Sequence, residues 1–433
     1  MVTGARAEWH PLKRVAMHRP GMEMFFGLLE PYASLYERAF SRFKARYEHE
    51  NLEYTLRRDF GVQVTLLKPA LLDAADAVPE VRIKLQEMAG ETIDFSGDPR
   101  SAALAREDFV AHEDRLDSGH FFNILIMNPG IELAPGTGAR SIHLHVTERQ
   151  PLSNLYFMRD QQVVTDRGLL LSRMAKPQRA REPAITGFFW EVTGERVLGA
   201  VEAPGTLEGG DFIPFGNFAL VGIGDRTNRE GAAQLMASGI DFDEVGLVLQ
   251  PEHPLLPGGR GDPMLHIHLD TFCNVAGEGL VIGERALLER APVETYHREG
   301  RGDYRPSGNA TSLAAYFGEK GFEIIDITTL EQMAYASNIL CIRDRTILSV
   351  ESDRIIPDVL ANLQQKAARD PGRYGKLLAK AEEDYRKLRN EGQFFPHKKE
   401  IYQQGVDACP ISLVNLTGGY GGAHCMTCAL QRG

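Results

Sequence analysis

The chain is 433 residues long, 43% hydrophobic and 25% charged, a composition typical of a globular protein with a sizeable core. Its formal net charge of -11 argues against nucleic acid or an anionic membrane as partner and suits a cationic small molecule. No run approaches the roughly 18 apolar residues of a membrane span, the opening MVTGARAEWHPLKRV has no apolar signal core, and the cysteines at 273, 341, 409, 425 and 428 do not form a secreted disulfide framework.

A reducing, cytoplasmic setting is therefore expected. In chain order, Arg14–His18 and Val62–Leu67 read as strands that would pair with a strand at the far end of the chain. Ala74–Met88 and Ala102–Leu116 read as helices with charged faces, so residues 71–148 are expected to form a helical subdomain inserted into a catalytic body of 1–70 and 149–433. Four stretches then share one pattern of apolar strand, turn, apolar strand: Asp160–Leu171, Asp211–Val221, Asp270–Ile282 and Asn338–Val350. Turn signals fall inside the first three at Asp166-Arg167-Gly168, Gly216-Asn217 and Gly277-Glu278-Gly279. Arg229–Ser238, Ser312–Lys320 and Ile356–Lys366 read as helices between them, and Arg373–Asn390 as a helix with a solvated charged face. Recurrence every roughly 50 to 70 residues points to a repeated hairpin-plus-helix unit and a closed, pseudo-symmetric α/β assembly.

The openings of these repeats carry acidic groups: Met158-Arg159-Asp160, Leu207-Glu208-Gly209-Gly210-Asp211 and His266-Ile267-His268-Leu269-Asp270. In a pseudo-symmetric ring equivalent ends converge, so Asp160, Glu208, Asp211, His268 and Asp270 would share one central site. Each alone also fits an ordinary turn or cap residue. The paired glycines beside Glu208 and Asp211 suggest close backbone approach. His266 and His268, two apart on one strand face, fit one structural and one catalytic histidine better than a metal pair.

Thr417–Cys428 reads TGGYGGAHCMTC, a glycine-rich loop that delivers His424 and Cys425. A cysteine so placed can be exposed and tuned as a nucleophile. Cys425-x-x-Cys428 also fits half a zinc site or a redox dithiol, although neither a second cysteine pair nor a thioredoxin-like βαβ start accompanies it. Cysteine, histidine and several carboxylates suit a guanidinium, which presents five N–H donors in a fixed fork. Nearby carboxylates would raise the thiol pKa, and a bound guanidinium would reverse that push.

The motifs HRPG at 18–21, PLSNLYFMRD at 151–160, LEGGD at 207–211, HLDTF at 268–272 and GGAHCMTC at 421–428, in this order, resemble the arginine deiminases of the guanidino-group-modifying superfamily. The resemblance spans essentially the whole chain, helical insert included. It implies a five-bladed α/β propeller (the pentein fold) with a central active site, and hydrolysis of free L-arginine to citrulline and ammonia through a covalent cysteine intermediate. It further implies that Cys425 is the nucleophile and His268 the general acid/base. Asp160 and Asp270 would grip the guanidinium, with Glu208 assisting and orienting His268. Asn154, Arg179 and Arg226 would hold the substrate carboxylate, Phe157 would pack on the substrate, and Asp211, Tyr420 and His424 would complete the binding set. No cofactor or metal is implied, and a homo-oligomer is expected. Two departures concern what closes the site: Tyr420 stands where many of these enzymes carry an arginine, and PYASLYERAF at 31–40 lacks a double-aspartate pattern.

A deiminase of another guanidino compound, or an amidinotransferase with the same core, would share this chemistry. The Glu208-Gly209-Gly210-Asp211 motif is hydrolase-like, whereas the ending around Cys425 does not discriminate. An arginine-binding protein without catalysis would not need the full set of groups.

Overall fold

The computed structural model describes residues 3–135, 142–256 and 262–433. Five of its six sheets follow one plan, in which two antiparallel strands are followed by a crossover and a third strand parallel to the second. A parallel return needs such a crossover, usually helical. In one unit Gln162–Val164 pairs with Leu169–Leu171, helix Glu182–Thr193 crosses over, and Val197–Ala200 returns. The next uses Phe212–Phe215, Phe218–Ile223, helix Arg229–Ala237 and Glu244–Leu249. Then follow Cys273–Gly277, Leu280–Gly283 and Glu323–Asp326, and Leu340–Arg343, Thr346–Val350 and Asp407–Ile411.

The fifth unit joins both chain ends. Leu12–Met17 pairs antiparallel with Cys428–Arg432 and parallel with Gln63–Leu66, with helix Arg42–Arg58 as its crossover. The split unit expected from the sequence is therefore present, as are the hairpins and their turns. Gly168, Gly216 and Gly279 take φ of 142°, 81° and 69°, where a side chain is disfavoured. The second strands are largely buried on both faces, as in Phe218–Leu220.

Three features depart from the expectation. The helix anticipated over 74–88 is two, Leu67–Ala77 and Pro79–Thr92, because Val78 before the proline is forced extended (φ -126°, ψ 111°). The segment expected to be helical also holds a small sheet of Asp94–Gly97, Pro129–Pro135 and Ile142–Glu148; residues 136–141 of that segment lie outside the described residues. Finally, the hairpin Pro292–Gly300 and Asp303–Ser312 extends the second unit's sheet to five strands, although it lies in the third unit's crossover. Its Pro, Gly and charged residues hide strand alternation. No helix among the described residues is long and apolar enough to cross a membrane.

Candidate active site

Each unit's first strand is preceded by a short irregular stretch, and these stretches meet. Asp160 precedes Gln162–Val164. Glu208 leads into the 3-10 turn Gly209–Asp211, and His268 into the 3-10 turn Leu269–Thr271. Asn338 precedes Leu340–Arg343, and Cys425 precedes Cys428–Arg432. The paired glycines are explained by this convergence. A Cβ on Gly209 would collide with the carbonyls of Arg159 and Gln162, and one on Gly210 would lie 2.8 Å from His268 Nδ1. In the cysteine loop a Cβ on Gly421 would meet the Phe157 ring at 2.5 Å and Cys425 Cβ at 2.9 Å.

The converging groups enclose a cavity of about 20 Å³, room for about one water. Cys425, His268, Asp160, Phe157, Asn154, Arg179, Arg226 and Tyr420 line it, all of them expected site residues. The buried walls leave Leu35, Ile267 and Tyr420 as the half-exposed rim. Leu35 and Tyr420 both sit at positive φ, 62° and 70°, a conformation that costs a non-glycine residue about 1–2 kcal/mol.

His268 Nε2 lies 2.8 Å from Glu208 Oε2, and its Nδ1 lies 3.8 Å from Asp160 Oδ1. Glu208 is fixed from behind, accepting the Ala175 N–H at 3.0 Å. Cys425 Sγ is 3.6 Å from Asp270 Oδ2 and 3.2 Å from Asn338 Nδ2. Asp270 Oδ2 is also 2.7 Å from His424 Nδ1. One oxygen on each of two buried carboxylates, Asp160 Oδ1 and Asp270 Oδ1, has no hydrogen-bond partner. Buried acceptors in that state are costly and call for a donor.

Electrostatics follow from this crowding. Burial opposes charge on His268, but Asp160, Glu208 and Asp211 outweigh it and raise its pKa to about 9. Burial likewise opposes charge on Glu208, yet Arg226 and His268 hold it at about 2. Asp211, buried with less compensation, rises to about 7. Burial, then Asp270 and Asp160, push the Cys425 thiol well above its ordinary value. The site thus pairs a protonated imidazole with a neutral thiol and two carboxylates short of donors.

Several expected contacts are arranged differently. Arg179 donates to Asp160 Oδ2 at 2.6 Å and to Glu182 at 2.8–3.1 Å, so its guanidinium is already held by carboxylates. Arg226 lies 3.6 Å from Glu208 Oε2, and Asn154 donates to the Ser34 carbonyl at 2.8 Å. Asp211 and His424, like Glu208 and Asp270, stand behind the residues that line the cavity. Asp211 accepts the Leu269 N–H at 2.9 Å, and fully buried His424 backs Asp270 and lies 3.6 Å from Glu8. His266 and His268 do not share a strand face either, since the chain bends there and the Thr271 hydroxyl ties down the N–H groups of Ile267 and His268. His266 faces Gln250 instead. Cys428 packs with Leu155 and Leu430 in a different apolar cluster from Cys425, and all five thiols are free.

Sequence reasoning missed Asn338, Glu182 and Glu8. Asn338 opens the fourth repeat, the place aspartates hold in the first three, and that position was its signal. Glu8 gave none, since its partner Arg432 is near only in the fold; Glu182 lies three residues after Arg179, and that spacing was its signal. Asp160, Glu208 and His268 bring one donor atom each within 4.8 Å of one another, a spacing that could hold a cation. Two arginines already face these carboxylates, Arg179 on Asp160 and Arg226 beside Glu208.

Residues 33–432 match the family model described as arginine deiminase. The chain is 25% identical to the arginine deiminase of Halobacterium salinarum, across 99% of this chain and 96% of that one. It is 27% identical to the arginine deiminase of Rhodococcus opacus, across 69% and 73% respectively. Among solved structures, a cysteine-to-alanine variant of AgrE in complex with L-arginine superposes with a TM-score of 0.52 at 13% identity, covering 97% of this chain and 40% of that one; it shares the mixed α/β fold. With a family match that runs from residue 33 to residue 432, the chain belongs to the arginine deiminase family.

Proposed function

We propose that the protein hydrolyses the guanidinium of free L-arginine to citrulline and ammonia, with Cys425 as nucleophile. The observation that carries this reading is the pair of partnerless oxygens, Asp160 Oδ1 and Asp270 Oδ1, on carboxylates flanking Cys425 Sγ. A guanidinium supplies the N–H donors they lack and a positive charge that favours the thiolate. Phe157 is the ring available to pack against it. Arg179 and Arg226 are the cations that line the cavity and face the substrate carboxylate, with Asn154 beside them. Arg179 then turns from Asp160 while remaining anchored on Glu182.

As the guanidinium binds, the Cys425 thiol releases its proton to solvent; the thiolate attacks the guanidinium carbon, and the proton on His268 goes to the departing nitrogen, which leaves as ammonia. The resulting S-amidino group stays on Cys425. Neutral His268, held by Glu208, next takes a proton from water, and the hydroxide adds to the same carbon. The C–S bond breaks, citrulline leaves and the thiol is restored. Two proton transfers by one residue match a raised imidazole pKa, which favours the acid form at the start.

The fivefold repeat of the sheet plan supports a five-bladed propeller about this site, with 71–148 as an insert in a body of 1–70 and 149–433. Five free thiols and an acidic chain suit a reducing compartment. The test is incubation with arginine, with and without glycine or lysine as acceptor, assaying citrulline and ammonia. Agmatine, which lacks the carboxylate, should be turned over about 10²- to 10⁴-fold less efficiently, the effect of leaving buried charges unpaired. Equal efficiency on the two substrates would overturn arginine as the substrate. Product carrying the amidino group on the added amine would make the protein a transferase.

A further inference from the structure

The cysteine loop is held by one side chain from another unit. Asn338 Oδ1 accepts the N–H of Gly422 at 2.8 Å and of Cys425 at 3.3 Å. These two donors fix which end of the amide is oxygen. Its Nδ2 must then face the other way, where it donates to the Asp270 carbonyl at 3.1 Å and to Cys425 Sγ at 3.2 Å. Asn338 is 1% exposed, so water does not compete for these bonds.

The other groups facing this sulfur pull in both directions. Asp270 and Asp160 repel a thiolate, Tyr156 offers no charge, Arg159, bonded to Glu8 and the His424 carbonyl, favours it, and His268 lines the same cavity. Repeats at this position elsewhere open with Asp160, Asp211 and Asp270. An aspartate at 338 would add a third carboxylate at hydrogen-bond distance from the sulfur. The asparagine keeps the acceptor that holds the loop and replaces the repelling oxygen with a donor.

We propose that Asn338 is a catalytic residue whose Nδ2–H hydrogen bond stabilises the Cys425 thiolate, while its Oδ1 fixes the loop that carries it. A hydrogen bond to a charged acceptor is among the stronger kinds in proteins. It acts when the negative charge appears on sulfur, at attack and again when the product leaves.

This role rests on Cys425 being the nucleophile, and the test separates the two. Iodoacetamide is applied to wild type and to Asn338→Asp over a range of pH, following citrulline formation and alkylation of the Cys425 peptide by mass spectrometry. Wild type should lose activity in step with labelling. In Asn338→Asp the loop acceptor is kept, yet labelling at neutral pH should slow about tenfold or more, with its pH midpoint moved upward. Its kcat for arginine should fall about 100-fold or more, with KM within about threefold of wild type. Asn338→Ala is the second variant, removing the donor without adding charge, and should move the midpoint the same way by less. Unchanged labelling profiles and kcat in both variants would overturn the role of Asn338 and leave Cys425 as nucleophile. Wild-type activity that survives full labelling of Cys425 would remove the nucleophile, and the role of Asn338 with it.

Discussion

The centre of the molecule and the segment 67–148 bury side chains of opposite kinds. Around Cys425 the buried groups are ionic: Asp160, Glu208, Asp270, His268 and Arg179 are all 5% exposed or less. In the other segment Leu67, Leu71, Phe121 and Phe122 are fully buried and pack with Phe188, Phe189 and Trp190 of the neighbouring unit. Helix Pro99–His112 there has no fully buried residue, with Phe109 only partly covered. Burying an ion is costly and persists only where a partner stands opposite, whereas burying a phenyl ring is favourable wherever it fits. The centre therefore carries stability losses that only a function explains, and the segment supplies apolar burial. A substitution should reveal which region it is in by whether it changes rate or melting temperature.

The largest effect is expected at the sulfur. Cys425→Ala should reduce citrulline formation to background while circular dichroism and Tm stay close to wild type. Substantial turnover in that variant would mean that the buried ions surround something other than a nucleophile. His268→Ala should lose about 10² to 10⁴ in kcat, and His266→Ala far less, because His266 faces Gln250 rather than the cavity. Equal losses in the two would withdraw the acid/base role. A companion variant sharpens the electrostatic side of the contrast. The pKa of His268 is raised above the ordinary imidazole value, so its proton is present at neutral pH and lost as pH rises through about 9. Glu208→Gln removes one of the charges holding that proton, and the alkaline limb of the kcat profile should move to lower pH.

In the segment the order of effects reverses. Phe121→Ala should cost about 3–5 kcal/mol of stability, the usual result of emptying a buried aromatic site, with kcat for arginine unchanged at a temperature where the variant is folded. Leu104→Ala, at an exposed position of helix Pro99–His112, should stay within about 0.5 kcal/mol of wild type. A kcat loss in Phe121→Ala would show that the two regions are coupled and would break the comparison.

The sequence displays the parts of this architecture that repeat locally. Hairpins such as Phe212–Phe215 with Phe218–Ile223 are contiguous apolar runs around a turn, and the His-Cys loop is written in consecutive glycines. The strand Leu12–Met17 could be matched with Cys428–Arg432 because four complete units left one incomplete. What stayed hidden depends on distant partners or on weak patterning. The Pro292–Ser312 hairpin reads as loop because Pro306 and Gly308 interrupt it, and only the edge strand Glu244–Leu249 explains why it pairs. Arg179 looked like a free carboxylate-binding cation because nothing in the sequence shows Glu182 and Asp160 closing on it together. Asn338 was legible as a strand start, but an uncharged amide gives no titration signal to mark it as part of the chemistry.

The unit that joins the chain ends has a consequence for how activity arises during folding. Ala16 pairs with Cys428, so the strand that follows Cys425 docks against a partner separated by nearly the whole chain. Contacts between such distant residues are the slowest to form in a folding protein, because the intervening chain must be ordered before they are rewarded. The other four units can assemble from nearer segments while the sulfur still lacks its place. In a refolding experiment, hydrolysis would thus return later than secondary structure or tryptophan burial. Catalysis is then a readout of the completed molecule, and a partly folded chain leaves arginine untouched.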